Sequence, residues 1–333
     1  MSHQHFQLVD NALTADVTQE PIRAGFGRGL KAAGEADESI VALCADLTES
    51  TQMHLFRQAF PNRFIEIGVA EQNLVTVAAG LARVGKVPFT SSYAAFSPGR
   101  NWEQIRTTAA LNDLPVKIIG SHAGVSVGPD GATHQMLEDI AIMRVMPNMV
   151  VIAPGDSVEA EKATRAMATN GKPTYMRLAR EKTPVFTTDE SPFEIGKAYV
   201  LREGHDISLV GTGTMTYQLL VAAEKLAKHG IHAEVIHAPT IKPLDKDVII
   251  ASARKNGRVL TAEEAQAAGG LGGAVAEALG DILPTPLLRI GMDDRFGESG
   301  APAELLDHFG LTGEKIAQRA KQFIESMPKY HQW

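Results

Sequence analysis

The sequence predicts an α/β protein of two domains, each a mostly parallel open sheet flanked by helices. Three observations predict it. Short β-branched apolar runs alternate with longer amphipathic stretches along the whole chain. A polar, proline-containing stretch over residues 183–193 separates two such series. The length, 333 residues, is about twice that of a common domain.

In the first series, strands are predicted over 40–44, 64–69, 87–91, 116–120, 149–153 and 174–178. Each is short and apolar, as parallel strands buried on both faces are. Between them, apolar residues at helical spacing predict helices over 22–33, 71–81, 102–111, 137–143 and 158–168. The second series has strands over 207–210, 232–237, 258–261 and 287–290. Its helices are 218–228, 245–255, 271–279 and 314–322. The boundary is placed near residue 190, giving domains 1–190 and 191–333 with no sequence repeat between them.

Composition excludes several classes. Hydrophobic residues at 44 % and charged residues at 21 % are those of a globular chain, not a disordered one. The net charge of −7 lacks the basic footprint of a nucleic-acid binder. Cys44 is the single cysteine, which excludes an internal disulfide and a thiolate metal cluster and points to reducing cytoplasm. No apolar run reaches the roughly 18 residues of a membrane span. Residues 1–10 are polar, with no apolar signal core, and His3 and His5 there make a poor metal site.

Ligands of open α/β sheets bind beyond the carboxyl ends of the strands. Here those ends lead into Ala45-Asp46-Leu47-Thr48-Glu49-Ser50, into Ala70-Glu71-Gln72-Asn73, and into Tyr93 and Phe96. The fourth leads into Ser121-His122 and a glycine-rich loop that carries Asp130 and His134; the sixth leads to Arg180. Taken singly, each has an ordinary explanation. Glu71 meets the positive end of a helix dipole, Phe96 is core packing, and Asp130-Gly131 is a turn signal. Their common rim argues for a site. Gly211-Thr212-Gly213-Thr214 fits neither the dinucleotide fingerprint nor the P-loop and reads as a tight strand-to-helix turn. The sequence has no H-E-x-x-H.

Four motifs carry a family resemblance. Phe64 to Asn73 (FIEIGVAEQN) resembles the segment of thiamine diphosphate enzymes whose glutamate meets the cofactor's aminopyrimidine. Gly128 to Gln135 (GPDGATHQ) resembles the G-x-D-G-x-T-H-Q of transketolases and deoxyxylulose-phosphate synthases. Ala45 to Ser50 resembles the transketolase A-D-L-T-x-S, and Asp294 to Gly300 (DRFGESG) resembles the family's C-terminal domain. The likeness runs in order from about Pro21 to Ala320. The sequence contains no Gly-Asp-Gly, the motif with which the family's diphosphate-binding domain holds magnesium. The chain therefore resembles the pyrimidine-binding plus C-terminal half of a split, two-subunit transketolase.

The resemblance implies roles. Glu71 would hydrogen-bond the pyrimidine and favour the tautomer that activates the thiazolium. Phe96 would stack on that ring, with Phe89 as a competing choice, and Asp46 would lie near cofactor and dimer contact. Asp130 and His134 would meet the sugar's carbonyl and hydroxyl groups, with Glu71 the catalytic set. Arg23, Ser50, His122 and Arg180 would hold the substrate phosphate. No metal ligand is expected on this chain; Mg2+ would sit on a diphosphate-binding partner subunit, in an α2β2 heterotetramer. Sugar phosphates are the implied substrates, with neither nucleic acid nor membrane as partner.

Three relatives compete with this reading. A deoxyxylulose-phosphate synthase is favoured by Ile67 to Gln72 but resembles one chain with all three domains. A 2-oxo acid dehydrogenase beta subunit matches in length but not in its T-H-Q loop or phosphate set. A non-catalytic homologue is opposed by the joint presence of Glu71, Asp130, His134 and Arg180. Pro129, Ala70 and Asn73-Leu74 depart from common family residues and bear on the acceptor sugar or on assembly.

Overall fold

The computed structural model describes residues 6–327; His3 and His5 lie outside them. The first series folds as β1 (Gln19–Pro21), α1 (Ile22–Ala36), β2 (Ile40–Cys44), α2 (His54–Ala59), β3 (Phe64–Glu66), α3 (Glu71–Arg83) and β4 (Val87–Tyr93). It continues through α4 (Trp102–Gln104), which runs into a π-helical turn (Ile105–Ala110), then β5 (Lys117–Ser121), α5 (Asp139–Arg144), β6 (Val150–Ile152), α6 (Ser157–Thr169), β7 (Thr174–Arg177) and β8 (Lys182–Pro184). The second series is β9 (Tyr199–Arg202), β10 (Ile207–Gly211), α7 (Met215–Ala227), β11 (Ala233–His237), β12 (Thr240–Lys242), α8 (Lys246–Asn256), β13 (Val259–Gln266), α9 (Leu271–Ile282), β14 (Leu287–Met292), α10 (Pro302–His308) and α11 (Gly313–Ser326).

The larger sheet has the order β12-β6-β7-β5-β4-β2-β3 and the smaller the order β14-β13-β10-β11-β9. All pairs are parallel except those of the edge strands β12 and β9. β1 and β8 form a separate antiparallel ribbon. The two-domain α/β expectation holds.

Strand alternation builds two cores around the larger sheet. Ile40 and Ala42 of β2 face α1 and α6, with Phe26, Leu30 and Ala160. Val41 and Leu43 face the other way, toward Leu74 and Ala78 of α3 and Ile105 of the π turn. This is the period of two of a pleated strand. Phe26 is fully buried, and its truncation to alanine is expected to cost roughly 3–5 kcal/mol. Helix α1 reaches α6 closely because Gly25 faces it; a Cβ there would stand 1.7 Å from the Ser157 carbonyl oxygen.

The structure corrects three expectations. The strand expected over 64–69 stops at Glu66, because Gly68 turns to φ 77° and its N–H donates to the Glu66 carboxylate at 2.9 Å. The helix expected over 102–111 changes from α to π after Gln104. β7 ends at Arg177, so Arg180 lies in the loop beyond it. One strand of the second series joins the larger sheet. β12 crosses back and pairs antiparallel with β6, adding an edge to the first sheet.

Candidate active site

The chain order reverses in the larger sheet between β2 and β4, which are neighbours although β3 lies between them in sequence. Such a switch point opens a crevice at the carboxyl ends of the strands. Two residues just past strand ends, Asp46 two positions after β2 and His122 directly after β5, have φ 58°. Aspartate and histidine tolerate this left-handed region better than most residues, and strained backbone of this kind gathers at functional sites. Glu66, which sequence reasoning did not single out, fixes the rim. Its carboxylate accepts hydrogen bonds from the backbone N–H of Asp46 at 2.8 Å and of Gly68 at 2.9 Å, and from the Thr48 hydroxyl at 3.2 Å.

Glu71 is the first residue of α3 and is 1 % exposed. One carboxylate oxygen accepts from Arg100 Nη1 at 2.5 Å, and the other lies 3.4 Å from the Ser92 hydroxyl. The Asn101 amide donates to the Glu71 carbonyl at 2.8 Å and to the Ser97 hydroxyl at 3.2 Å, tying the loop after β4 to the start of α3. The Arg100 guanidinium carbon stands 4.7 Å from the centroid of the Phe96 ring. An open cleft of about 510 Å3 lies alongside, lined by Val69–Asn73, Thr76, Arg100 and Gln104. The competing aromatic, Phe89, is fully buried inside β4 and its side chain belongs to the core beneath; Phe96 is half-buried on the rim.

From Phe96 a cluster of rings crosses the crevice. Phe96 and His134 meet edge to face at 5.3 Å, and Tyr93 stacks on His122 at 3.9 Å. Ser121 Oγ lies 2.9 Å from His122 Nδ1, and Thr133 Oγ1 lies 2.9 Å from His134 Nδ1. Beyond His122 stand Arg23 and Arg180. Arg23 donates to the Ser50 carbonyl and Arg180 to the Val127 carbonyl at 2.7 Å. Burial, reinforced by the charges of Arg23, Arg180 and His134, pushes the His122 pKa down to about 3. Burial likewise lowers that of Arg23, and Arg180 adds to the effect. Arg23 Nε is buried with no partner among the described residues. This end of the crevice holds excess positive charge in an acidic protein and suits an anion.

The structure thus brings Arg23, Ser50, His122 and Arg180 together, and joins them through Tyr93 and His134 to Phe96 and Glu71. It does not bring Asp46 or Asp130 into the cluster. Asp46 enters through its backbone N–H, and Asp130 stands exposed on the glycine-rich loop. Sequence reasoning missed Arg100. An arginine just before a helix, four residues after a rim aromatic, was the available signal. No group of metal-ligating side chains is found among the described residues.

Two family profiles match the chain. One is the transketolase pyrimidine binding domain, over residues 19–185; the other is the transketolase C-terminal domain, over residues 196–316. The chain belongs to the transketolase family. A putative transketolase C-terminal section from Methanocaldococcus jannaschii is 46 % identical, over 92 % of this chain and 96 % of that one. A 6-deoxy-6-sulfo-D-fructose transketolase subunit, SqwH, from Clostridium sp. is 43 % identical, over 87 % of this chain and 90 % of that one. A solved structure described as a split gene transketolase, inactive beta4 tetramer, superposes with a TM-score of 0.86 at 42 % identity, covering 92 % of this chain and 98 % of that one. Human transketolase is 37 % identical, but this chain spans only 49 % of its length.

Proposed function

We propose that this transketolase-family chain is one subunit of a heteromeric, thiamine diphosphate-dependent enzyme. It moves a two-carbon ketol unit from a ketose phosphate to an aldose phosphate. The observation that carries the reading is the crevice itself: the buried Glu71 carboxylate and the Phe96 ring at one end, two arginines with excess positive charge at the other. Glu71 and Phe96 fit an aminopyrimidine, a flat ring with hydrogen-bonding nitrogens: one side chain accepts and the other stacks. When bound, thiamine diphosphate supplies the nucleophilic carbon of ketol transfer. Glu71 holds or releases a proton at the pyrimidine nitrogen. Arg23, Arg180 and the Ser50 region bind and orient the substrate's anionic end. His122, held neutral, leaves its Nε2 free to exchange hydrogen bonds with a substrate oxygen, and His134 faces the same path. Asp46 closes the rim near the cofactor, and Asp130, exposed on the glycine-rich loop, reaches sugar hydroxyls once substrate is bound.

The diphosphate and Mg2+ are assigned to a second subunit. The likeness to a C-terminal section along nearly its whole length, and to a split gene transketolase, supports this. Two copies of each chain would form the working assembly, in the cytoplasm; no described helix is long and apolar enough to cross a membrane. A second reading has a specific observation behind it. The 43 % identity to a sulfofructose transketolase subunit favours a ketose whose anionic end is a sulfonate. The arginine pair accepts either anion.

The test is ketol transfer with thiamine diphosphate and Mg2+, measured with this chain alone, with a diphosphate-binding subunit, and with xylulose 5-phosphate or 6-deoxy-6-sulfofructose as donor. Turnover only in the mixture supports the subunit reading, and the better donor decides the anion. Turnover by the chain alone overturns the subunit reading; silence in every arm overturns ketol transfer.

A further inference from the structure

We infer that Arg100 is a built-in stand-in for the cofactor's aminopyrimidine, occupying the Glu71–Phe96 subsite until thiamine diphosphate displaces it. This rests on the cofactor reading above. A guanidinium is planar, presents forked N–H donors and lies flat on aromatic rings. An aminopyrimidine is planar, offers N–H groups and stacks in the same way. Arg100 makes both kinds of contact at once: Nη1 donates to Glu71 at 2.5 Å while the guanidinium carbon lies 4.7 Å from the Phe96 centroid. These are the acceptor and the ring face that the cofactor would need, so arginine and pyrimidine cannot hold them together.

The surroundings suit a side chain that leaves. The backbone at Arg100 is anchored: its N–H donates to the Phe96 carbonyl at 3.0 Å, and the next residue, Asn101, is fully buried and bonded to Glu71 and Ser97. The side chain is not anchored. It is 49 % exposed, and Glu71 is its one ion-pair partner among the described residues. It also lines the cleft of about 510 Å3 beside α3, which gives the displaced guanidinium room and water. While Arg100 is in place, it meets the negative charge of a carboxylate that is otherwise buried beside a serine. That removes the cost of an unpaired buried charge in the cofactor-free chain.

Displacement subtracts from cofactor affinity, so removing the competitor raises it. The test is calorimetric titration of thiamine diphosphate, with Mg2+ present, into the complex of this chain with its diphosphate-binding subunit. Arg100→Gln is expected to bind about three- to tenfold more tightly than the parent, the range of a half-exposed ion pair with an aromatic contact. Arg100→Lys keeps the charge but loses the planar face and the fork, and is expected to gain at least half of that factor on a logarithmic scale. Unchanged or weaker binding by Arg100→Gln overturns the inference. So does an Arg100→Lys protein that binds like the parent, because a cation needed only for its charge gives that result. If Arg100→Gln does not assemble, Arg100→Lys decides alone. Absence of saturable binding in the unsubstituted complex overturns the cofactor reading itself, an outcome distinct from the others.

Discussion

In the larger sheet the strand order reverses between β2 and β4; in the smaller it reverses between β10 and β13. Both places are switch points of the kind that bind ligands, and both carry carboxylates. At the first, the rim opens to solvent through Phe96, His134 and the arginines. At the second, the first domain fills the crevice. Glu264 of β13 accepts from the Ser126 N–H at 2.7 Å and from the Thr214 hydroxyl at 2.9 Å, and its backbone carbonyl accepts from Arg177. Glu263 beside it takes the N–H groups of Leu271 and Gly272, each at 2.8 Å, capping α9. On the proposed function, similar topology and similar side chains serve ligand binding in one place; in the other they serve domain docking. What each rim faces makes the difference, not the fold.

The largest effect is expected where the open rim is most specialised. Glu71→Ala is expected to lower kcat by about 1,000-fold or more, in the range of a lost proton-transfer group, with a melting temperature near that of the parent. Steady-state ketol transfer and a thermal melt check both halves. Turnover within a factor of a few of the parent would remove the open rim from the chemistry and break the comparison.

A smaller effect is expected at the other end. Arg180→Ala is expected to raise KM for the anionic substrate about 10- to 100-fold, as loss of a charge-assisted contact does, and to leave the melting temperature in place. Its one described anchor is a hydrogen bond to the Val127 carbonyl, with a weak contact to Glu181 at 3.5 Å. The initial-rate dependence on donor sugar reads this directly. An unchanged KM combined with a lower melting temperature would make Arg180 a docking residue like those of the second rim, and the contrast would fail.

The strands of both sheets were legible because buried parallel strands are short, apolar and β-branched; β2 is found at the predicted bounds. The edge strands were not. Thr240–Lys242 has three residues, too few to show a period, and pairs with β6 only because the second domain folds back over the first. The ribbon of β1 and β8 joins residues more than 150 positions apart, which no local pattern signals. In the site, residues that follow strand ends could be read from position alone. Arg100 could not, because its contacts with Glu71 and Phe96 arise from the path of the loop after β4. The choice between Phe89 and Phe96 also needed the structure, since only burial separates an aromatic inside a strand from one beyond it.

The smallest effect sharpens the comparison from the closed side. Glu263 is fully buried, and burial pushes its pKa up to about 7, against the pull of the two N–H groups and Arg177. In the unfolded chain it returns to about 4.3. Between those values the folded state holds a proton that the unfolded state has lost. The stabilisation is therefore complete below about pH 4.3 and is lost as pH rises through 7. Against Glu263→Gln, which cannot ionise, the parent is expected to lose on the order of 3 kcal/mol of stability from pH 4.5 to 7.5. Denaturant unfolding of both proteins at several pH values measures that difference. Parallel pH profiles would mean that Glu263 is ionised throughout, with enough compensation around it to make a charged site of the second rim as well. A Glu263→Gln protein with the parent's pH profile for ketol transfer but a flatter stability profile keeps the two switch points in different trades, one binding a ligand and the other binding the neighbouring domain.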